Sequence, residues 1–119
     1  MTNPKRGEIW LVDLNPTRGQ EIQKTRPVVV ISADIFNPIP IRIIIPITSW
    51  QEKFKERPFM VKIAASPENQ LERDSAGNVL QVRSISTERF VKHLGQVTDE
   101  ILQELLSGLV ICIDYEPSP

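Results

Sequence analysis

Four β-branched residues in a row, Val28-Val29-Val30-Ile31, constrain this chain more than any other feature. Branching at Cβ disfavours a helix and suits a pleated backbone. A run with no polar alternate has no face to show to water, so it reads as a strand buried on both sides. A polar, basic turn, Lys24-Thr25-Arg26-Pro27, leads straight into it. Pro27 fixes its own φ and pushes Arg26 toward an extended conformation. An arginine held at the mouth of a buried strand is a charge that the fold positions.

The other elements arrange themselves around that strand. Glu8 to Leu14 reads as a first strand, opened by Gly7 and closed by Asn15-Pro16. Asn15 to Thr25 is a long polar loop, of the kind that is functional or mobile in a small domain. Ala33 to Pro40 is a connector. Ile41 to Ile47 is again β-branched, interrupted by Arg42 and Pro46. A proline within a strand predicts an edge or a bulge, with a bend just before Thr48. Ser49 to Pro58 is a second, charged loop and Phe59 to Ile63 a short strand. Ser66 to Gly77 reads as turn and loop, and Val79 to Val82 as strand. Ser86 can cap a helical turn over Arg89 and Phe90, and Val91 to Val97 gives one more extended piece. Thr98 is a good N-cap, and Asp99 and Glu100 suit the positive end of a helix. Ile101, Leu102, Leu105, Leu106, Leu109, Val110 and Ile113 then recur at helical spacing. Short strands followed by one long helix predict a mainly β fold, a small antiparallel barrel with a C-terminal α-helix.

At 119 residues the chain fits one domain, spanning 1–119. Its 14 basic and 15 acidic side chains give a formal net charge of −1, which argues against nucleic-acid binding by bulk charge. Any such contact needs a local basic cluster, completed where necessary by a second subunit. No apolar run approaches the roughly 20 residues that span a bilayer. The basic segment Met1 to Arg6 has no apolar stretch behind it. The chain therefore reads as cytoplasmic, with no membrane association. Cys112 and His93 are the sole cysteine and histidine, so neither an internal disulfide nor a recognisable Cys/His metal site is expected.

The segment Arg6-Gly7-Glu8-Ile9-Trp10-Leu11-Val12-Asp13-Leu14-Asn15-Pro16-Thr17, then Gly19, Glu21 and Thr25-Arg26-Pro27-Val28-Val29-Val30, resembles the opening of MazF/PemK-type toxins. The likeness continues through Pro46-Ile47-Thr48-Ser49 and Gln81-Val82-Arg83-Ser84-Ile85, and the C-terminal helix fits it too. It implies a homodimeric, SH3-like barrel of the MazF/PemK/Kid/CcdB type. It also implies the toxin of a type II toxin–antitoxin system, an endoribonuclease that cuts single-stranded RNA with no metal or other cofactor. The implied partners are the RNA, a second copy of the chain, and a cognate antitoxin wrapped across the active grooves. DNA would be met only indirectly, through the antitoxin complex.

Cleavage of that kind uses the substrate's own 2′-hydroxyl and leaves a 2′,3′-cyclic phosphate and a 5′-hydroxyl. The enzyme helps remove the 2′ proton, stabilises the phosphorane and protonates the leaving 5′-oxygen. Arg26 matches the family's catalytic arginine in its Arg-Pro-Val setting, and a guanidinium suits phosphate geometry. The plainer reading is a surface arginine paired with an acid such as Glu21. Thr48 matches the family threonine, whose hydroxyl can donate to a phosphate oxygen and reach the 2′-hydroxyl; otherwise it is an ordinary strand threonine. Ser49 can hold the same phosphate.

Gln81 can read a base edge and Arg83 a flanking phosphate, with Ser84 beside them. Arg83 could equally brace the barrel against Asp74 or Glu88. Glu21 matches a family acid and is read as fixing Arg26 or the loop. Lys24 adds charge or is simply solvated. Trp50 stacks on an unpaired base or packs within its loop, whereas Trp10 reads as core. His93 reads as structural, and Asp74 as pairing with a neighbour or capping a turn. Kid-like members are thought to use an acid just before the glutamine and a histidine in the first loop. Those places hold Leu80 and Gln20 here, so the proton acceptor is left unassigned.

Two readings compete with the ribonuclease. One is a non-enzymatic module on the same barrel that inhibits a protein target, as a gyrase poison does. The other is a degenerate member that binds only RNA or antitoxin. Arg26 and Thr48 together favour the enzyme; the missing acid and histidine keep the degenerate reading alive.

Overall fold

A computed structural model describes residues 2–22 and 24–117. Its strands are β1 (Glu8–Asp13), β2 (Thr25–Val30), β3 (Ile41–Ser49), β4 (Met60–Ile63), β5 (Ser75–Asn78), β6 (Arg83–Ser86) and β7 (Phe90–Gln96), followed by helix α1 (Asp99–Cys112). They lie in the order β4-β5-β3-β2-β1-β7, with β6 also on β3. Every pairing is antiparallel. The result is the mainly β, barrel-like fold expected, with the sheet left unclosed.

Two apolar cores explain the unbroken run in β2. Successive strand residues point to opposite faces. Val29 and Ile31 enter one core, with Ile45, Ile47, Leu102 and Leu105. Val28 and Val30 enter the other, with Val12, Leu14, Ile44 and Phe90. All three valines are 0% exposed, so a polar residue at any of these positions would lack water. The helix closes the first core, with Leu102 and Leu105 buried against it. Thr98 caps it as predicted, its hydroxyl accepting from the Ile101 N–H at 3.2 Å. Ser86 likewise accepts from the Glu88 N–H at the head of a short 3₁₀ turn.

The β3 strand departs from expectation. Pro46 lies in an interior strand, not at an edge. Ile41 to Ile44 pair with β6, and Ile47 to Ser49 pair with β5. The proline, with no N–H to give, falls where β3 changes neighbour. Its first half also inverts the usual alternation. Arg42 is 2% exposed while Ile41 and Ile43 are 51% and 41% exposed. The buried guanidinium is satisfied internally. Nε donates to the Pro4 carbonyl, Nη1 to the carbonyls of Ile39 and Ile41, and Nη2 to Asn3 Oδ1. Arg42 thereby ties the N-terminal segment to β3.

A second correction concerns Val79 to Val82. Val79–Gln81 is a 3₁₀ turn, and the strand is Ser75–Asn78, inside the stretch read as loop. Ser-Ala-Gly-Asn has little strand propensity; pairing with β3 and β4 imposes the conformation. The position of Gly77 is set by α1, since a Cβ there would lie 2.6 Å from a Leu105 methyl. The charged loop after β3 is also folded, with a 3₁₀ turn at Glu52–Glu56 that buries Phe54.

Candidate active site

The hydrogen-bonded pairing of β2 with β3 ends at Val28 and Pro46. Pro27 withholds an amide proton at this end, and beyond it a cleft opens between the strands. The same register carried two residues further sets Arg26 opposite Thr48. Both are half-buried, and both line this cleft of about 350 Å³ together with Leu11, Pro27, Ile47, Ser49 and Ser75. The Arg26 backbone is fixed from the other side by its pairing with Val12 of β1. The arginine and threonine of the two motifs, 22 positions apart in the chain, thus face one space.

Glu21, Gln81 and Arg83 line a second cleft, of about 490 Å³, with Gln20, Ile22, Pro46, Leu80 and Val82. The Gln81 side chain is engaged there. Its Oε1 accepts from the Ile22 N–H at 2.6 Å and its Nε2 donates to the Gln20 carbonyl at 2.8 Å. The amide assigned above to a base edge therefore clamps the first loop onto the barrel. Glu21 accepts from the Arg18 N–H at 2.7 Å, inside that loop. Lys24, exposed with φ of 72°, donates its N–H to Asn15 Oδ1 at 3.0 Å and accepts from the Leu14 N–H at 3.1 Å. It closes the base of the loop.

The remaining residues singled out in the sequence sit apart from these contacts. Among the described residues Arg83 forms no ion pair with Asp74 or Glu88. Asp74 caps a turn instead, accepting from the Ala65 N–H at 2.9 Å. Ser84 is exposed, opposite Ile43. Trp50 lines neither cleft. Its indole N–H donates to Glu52 at 3.2 Å, Phe54 meets its ring edge-on, and the Lys62 ammonium lies 5.3 Å from its centroid. The Lys55 ammonium, and after it the Trp50 indole, hold the Glu52 carboxyl below the usual carboxylate range. Trp10 packs against the second core between Phe90 and His93. His93 Nε2 lies 3.0 Å from the Gly95 carbonyl and 3.5 Å from Glu8.

Gln70, Leu71, Glu72 and Arg73 also line the first cleft, and no sequence motif marked them. Their order on the page is that of an ordinary solvated turn, and nothing local signals that it folds over Arg26. Among the described residues no three His, Cys, Asp or Glu side chains converge to hold a metal ion. No helix among them is long and apolar enough to cross a membrane.

The chain is similar to known proteins. The family description "PemK-like, MazF-like toxin of type II toxin-antitoxin system" matches residues 5–113. Endoribonuclease MazF9 of Mycobacterium tuberculosis is 37% identical, over 92% of this chain and 96% of its own length. Endoribonuclease EndoA of Bacillus subtilis is 34% identical, over 92% of this chain and 93% of its own. The crystal structure of MazF from Deinococcus radiodurans has a TM-score of 0.80 at 21% identity, covering 97% of this chain and 100% of that one. This last likeness is one of fold.

Proposed function

Because this chain belongs to the PemK-like, MazF-like toxins of type II toxin–antitoxin systems, we propose that it is an endoribonuclease cutting single-stranded RNA at Arg26 and Thr48. The observation that carries the reading is the shared cleft at the end of the β2–β3 ladder. A guanidinium there can grip two phosphate oxygens at once, and its charge opposes the charge that builds on the phosphorane. The Thr48 hydroxyl donates to a phosphate oxygen beside the attacking 2′-hydroxyl, and Ser49 extends that grip. Both strands are backed by buried residues, so neither group needs to reorganise as charge develops. The products are a 2′,3′-cyclic phosphate and a 5′-hydroxyl, and the chemistry requires no metal.

The second cleft suits the flanking nucleotides. Arg83 meets a neighbouring phosphate, and the exposed Lys24 and Ser84 add a charge and a hydroxyl outside the cleft. Gln81 reads a base only by giving up its hold on the loop, so Glu21 and Gln81 act first by shaping the groove. Trp50 offers a base only the part of its ring that Lys62 and Phe54 leave open.

The whole chain, 1–119, works as one toxin domain in the cytoplasm, paired with a second copy and silenced by a cognate antitoxin, through which alone it meets DNA. Exposed Ile35, Phe36, Ile39, Ile41 and Ile43, with Ile111 on the helix and Ile113 just past its end, support the dimer. Such apolar surface is more than a small monomer usually leaves to water. A single monomeric species in sedimentation at micromolar concentration would refute it.

The activity is tested by incubating the purified, antitoxin-free chain with single-stranded RNA in EDTA and mapping the ends. Cleavage leaving 5′-hydroxyl ends, abolished by Arg26→Ala, is the expected result. Intact RNA at high protein concentration would sink the enzyme reading in favour of a binding module.

A further inference from the structure

The cleft between Arg26 and Thr48 has a third wall, formed by the loop between β4 and β5. Glu72 and Arg73 project from it as exposed side chains. In an ordinary loop they would be solvated and mobile. Here the backbone is pinned on both sides of them. Asn69, 1% exposed, accepts at Oδ1 from the N–H groups of Ser66 and Leu71, each at 3.0 Å, and donates from Nδ2 to the Ala64 carbonyl at 2.8 Å. The neighbouring Glu68 carbonyl accepts from the Gln96 N–H of β7 at 3.1 Å. Leu71 packs on the first core. On the other side, the Asp74 carbonyl accepts from the Trp50 N–H at 3.0 Å, and the Ser75 hydroxyl donates to the Arg73 carbonyl at 2.9 Å. The wall is thereby tied to the strand end that carries Thr48.

The lining of this cleft poses a chemical question. A guanidinium offers only donors, and a threonine or serine hydroxyl is a poor base. Among the described residues that line it, Glu72 alone carries a carboxyl, whose ionised form is an acceptor only. Glu72 also forms no ion pair among the described residues, so no fixed cation occupies its carboxylate.

We propose that Glu72 is a catalytic residue, the carboxylate that takes the proton from the 2′-hydroxyl of the RNA, and that Arg73 is a second guanidinium for the phosphate. The assignment rests on the ribonuclease reading and completes it. The 2′ O–H bond breaks and its proton passes to a Glu72 oxygen. The freed 2′-oxygen bonds to phosphorus, and the bond from phosphorus to the 5′-oxygen breaks with its electron pair. The 5′-oxygen takes a proton from water, and Glu72 returns its own to the hydroxide left behind. Every atom then stands as the cyclic phosphate and 5′-hydroxyl require. The pinned loop holds the Glu72 backbone at the edge of the cleft that Arg26 also lines.

Glu72→Gln tests this, because it keeps the shape and removes the basicity at an exposed position that packs no core. The readouts are kcat/KM across pH and the binding of an RNA blocked by a 2′-deoxy sugar at the cut. We expect kcat/KM to fall by about 100-fold or more, mostly in kcat. The acidic limb of the wild-type pH profile should vanish, and binding of the blocked RNA should be unchanged. Glu72→Asp should recover part of the rate. Cleavage by Glu72→Gln at the wild-type rate, or with the acidic limb intact, overturns the assignment alone. A wild-type chain that leaves RNA whole overturns the ribonuclease reading and this assignment with it.

Discussion

Replacing Gln81 by alanine asks whether one side chain holds the far part of the first loop on the barrel. The loop runs from the end of β1 to Lys24; Arg89 holds its start through the Asp13 and Asn15 carbonyls, and the Gln81 amide fastens its far part to the barrel wall through the Ile22 N–H and the Gln20 carbonyl. Each such bond contributes a net of about 0.5–1.5 kcal/mol. Losing both should favour the released loop by about 1–3 kcal/mol, a factor of roughly 5 to 150 in its opening equilibrium. Gln81 belongs to a 3₁₀ turn and is only half-buried, so little of this should reach global stability. Hydrogen exchange resolved to single amides measures the effect. The Ile22 amide is itself the donor in the clamp, and Val29, in the middle of β2 and fully buried, is the internal reference. Ile22 protection should fall by that factor in Gln81→Ala while Val29 holds. Gln81→Glu keeps an acceptor for Ile22 but loses the donor to Gln20, so it should lie between. The reasoning is refuted if Ile22 exchanges equally fast in the wild type and in Gln81→Ala, or if Val29 loosens in parallel.

Three further substitutions probe other parts of the argument. Gly95→Ala would set a Cβ 2.4 Å from the Glu68 carbonyl oxygen and 2.8 Å from Asn69 backbone atoms. Backbone cannot yield as a side-chain tip does, so urea unfolding should show a loss of about 3 kcal/mol or more, and RNA cleavage should fall as the Glu72 wall shifts. Arg42→Met keeps the buried volume but leaves the Pro4, Ile39 and Ile41 carbonyls short of a donor. About 3 kcal/mol should be lost by the same measurement, and an unchanged midpoint would deny the guanidinium its structural role. Thr48→Val removes a hydroxyl at nearly constant shape. Cleavage should slow by about 10- to 100-fold, the worth of one hydrogen bond to a charged group, while thermal stability holds and Thr48→Ser retains most of the rate.

What was legible in the sequence was whatever burial alone demands. The Val28–Ile31 run had to lie between two cores, because any polar alternate would have lacked water, and α1 followed from its spacing and its Thr98 cap. What was hidden depended on neighbours far along the chain. Ser75-Ala76-Gly77-Asn78 is a strand only because β3 and β4 present pairing partners on both sides. Arg42 read only as an interruption of a β-branched run, yet the N-terminal segment folds back to supply acceptors that let it stay inside. The candidate site divides the same way. Arg26 and Thr48 could be matched from their motifs, and the structure sets them across one cleft. The fixing of Glu72 and Arg73 could not be read, since it depends on Asn69 being buried and on Gly95 admitting the loop.

The two motifs share a feature that gives their prolines a common purpose. In Arg26-Pro27-Val28 and in Pro46-Ile47-Thr48, a proline stands within two residues of the polar group. On the paired strands those prolines fall at one end of the ladder, and the polar groups lie just beyond it. An intact ladder would have closed the gap with amide–carbonyl bonds and left no room for a phosphate. Pro27, whose backbone faces β3, cannot donate there, so the ladder ends without an unpaired N–H at that position. Pro46 faces the other side of β3, where the strand changes partner from β6 to β5, so its missing N–H removes little pairing that the sheet would otherwise have made. The fold therefore obtains its reactive cleft from the same residues that end a strand pairing, and the third wall supplies from a pinned loop the carboxylate that neither strand contains.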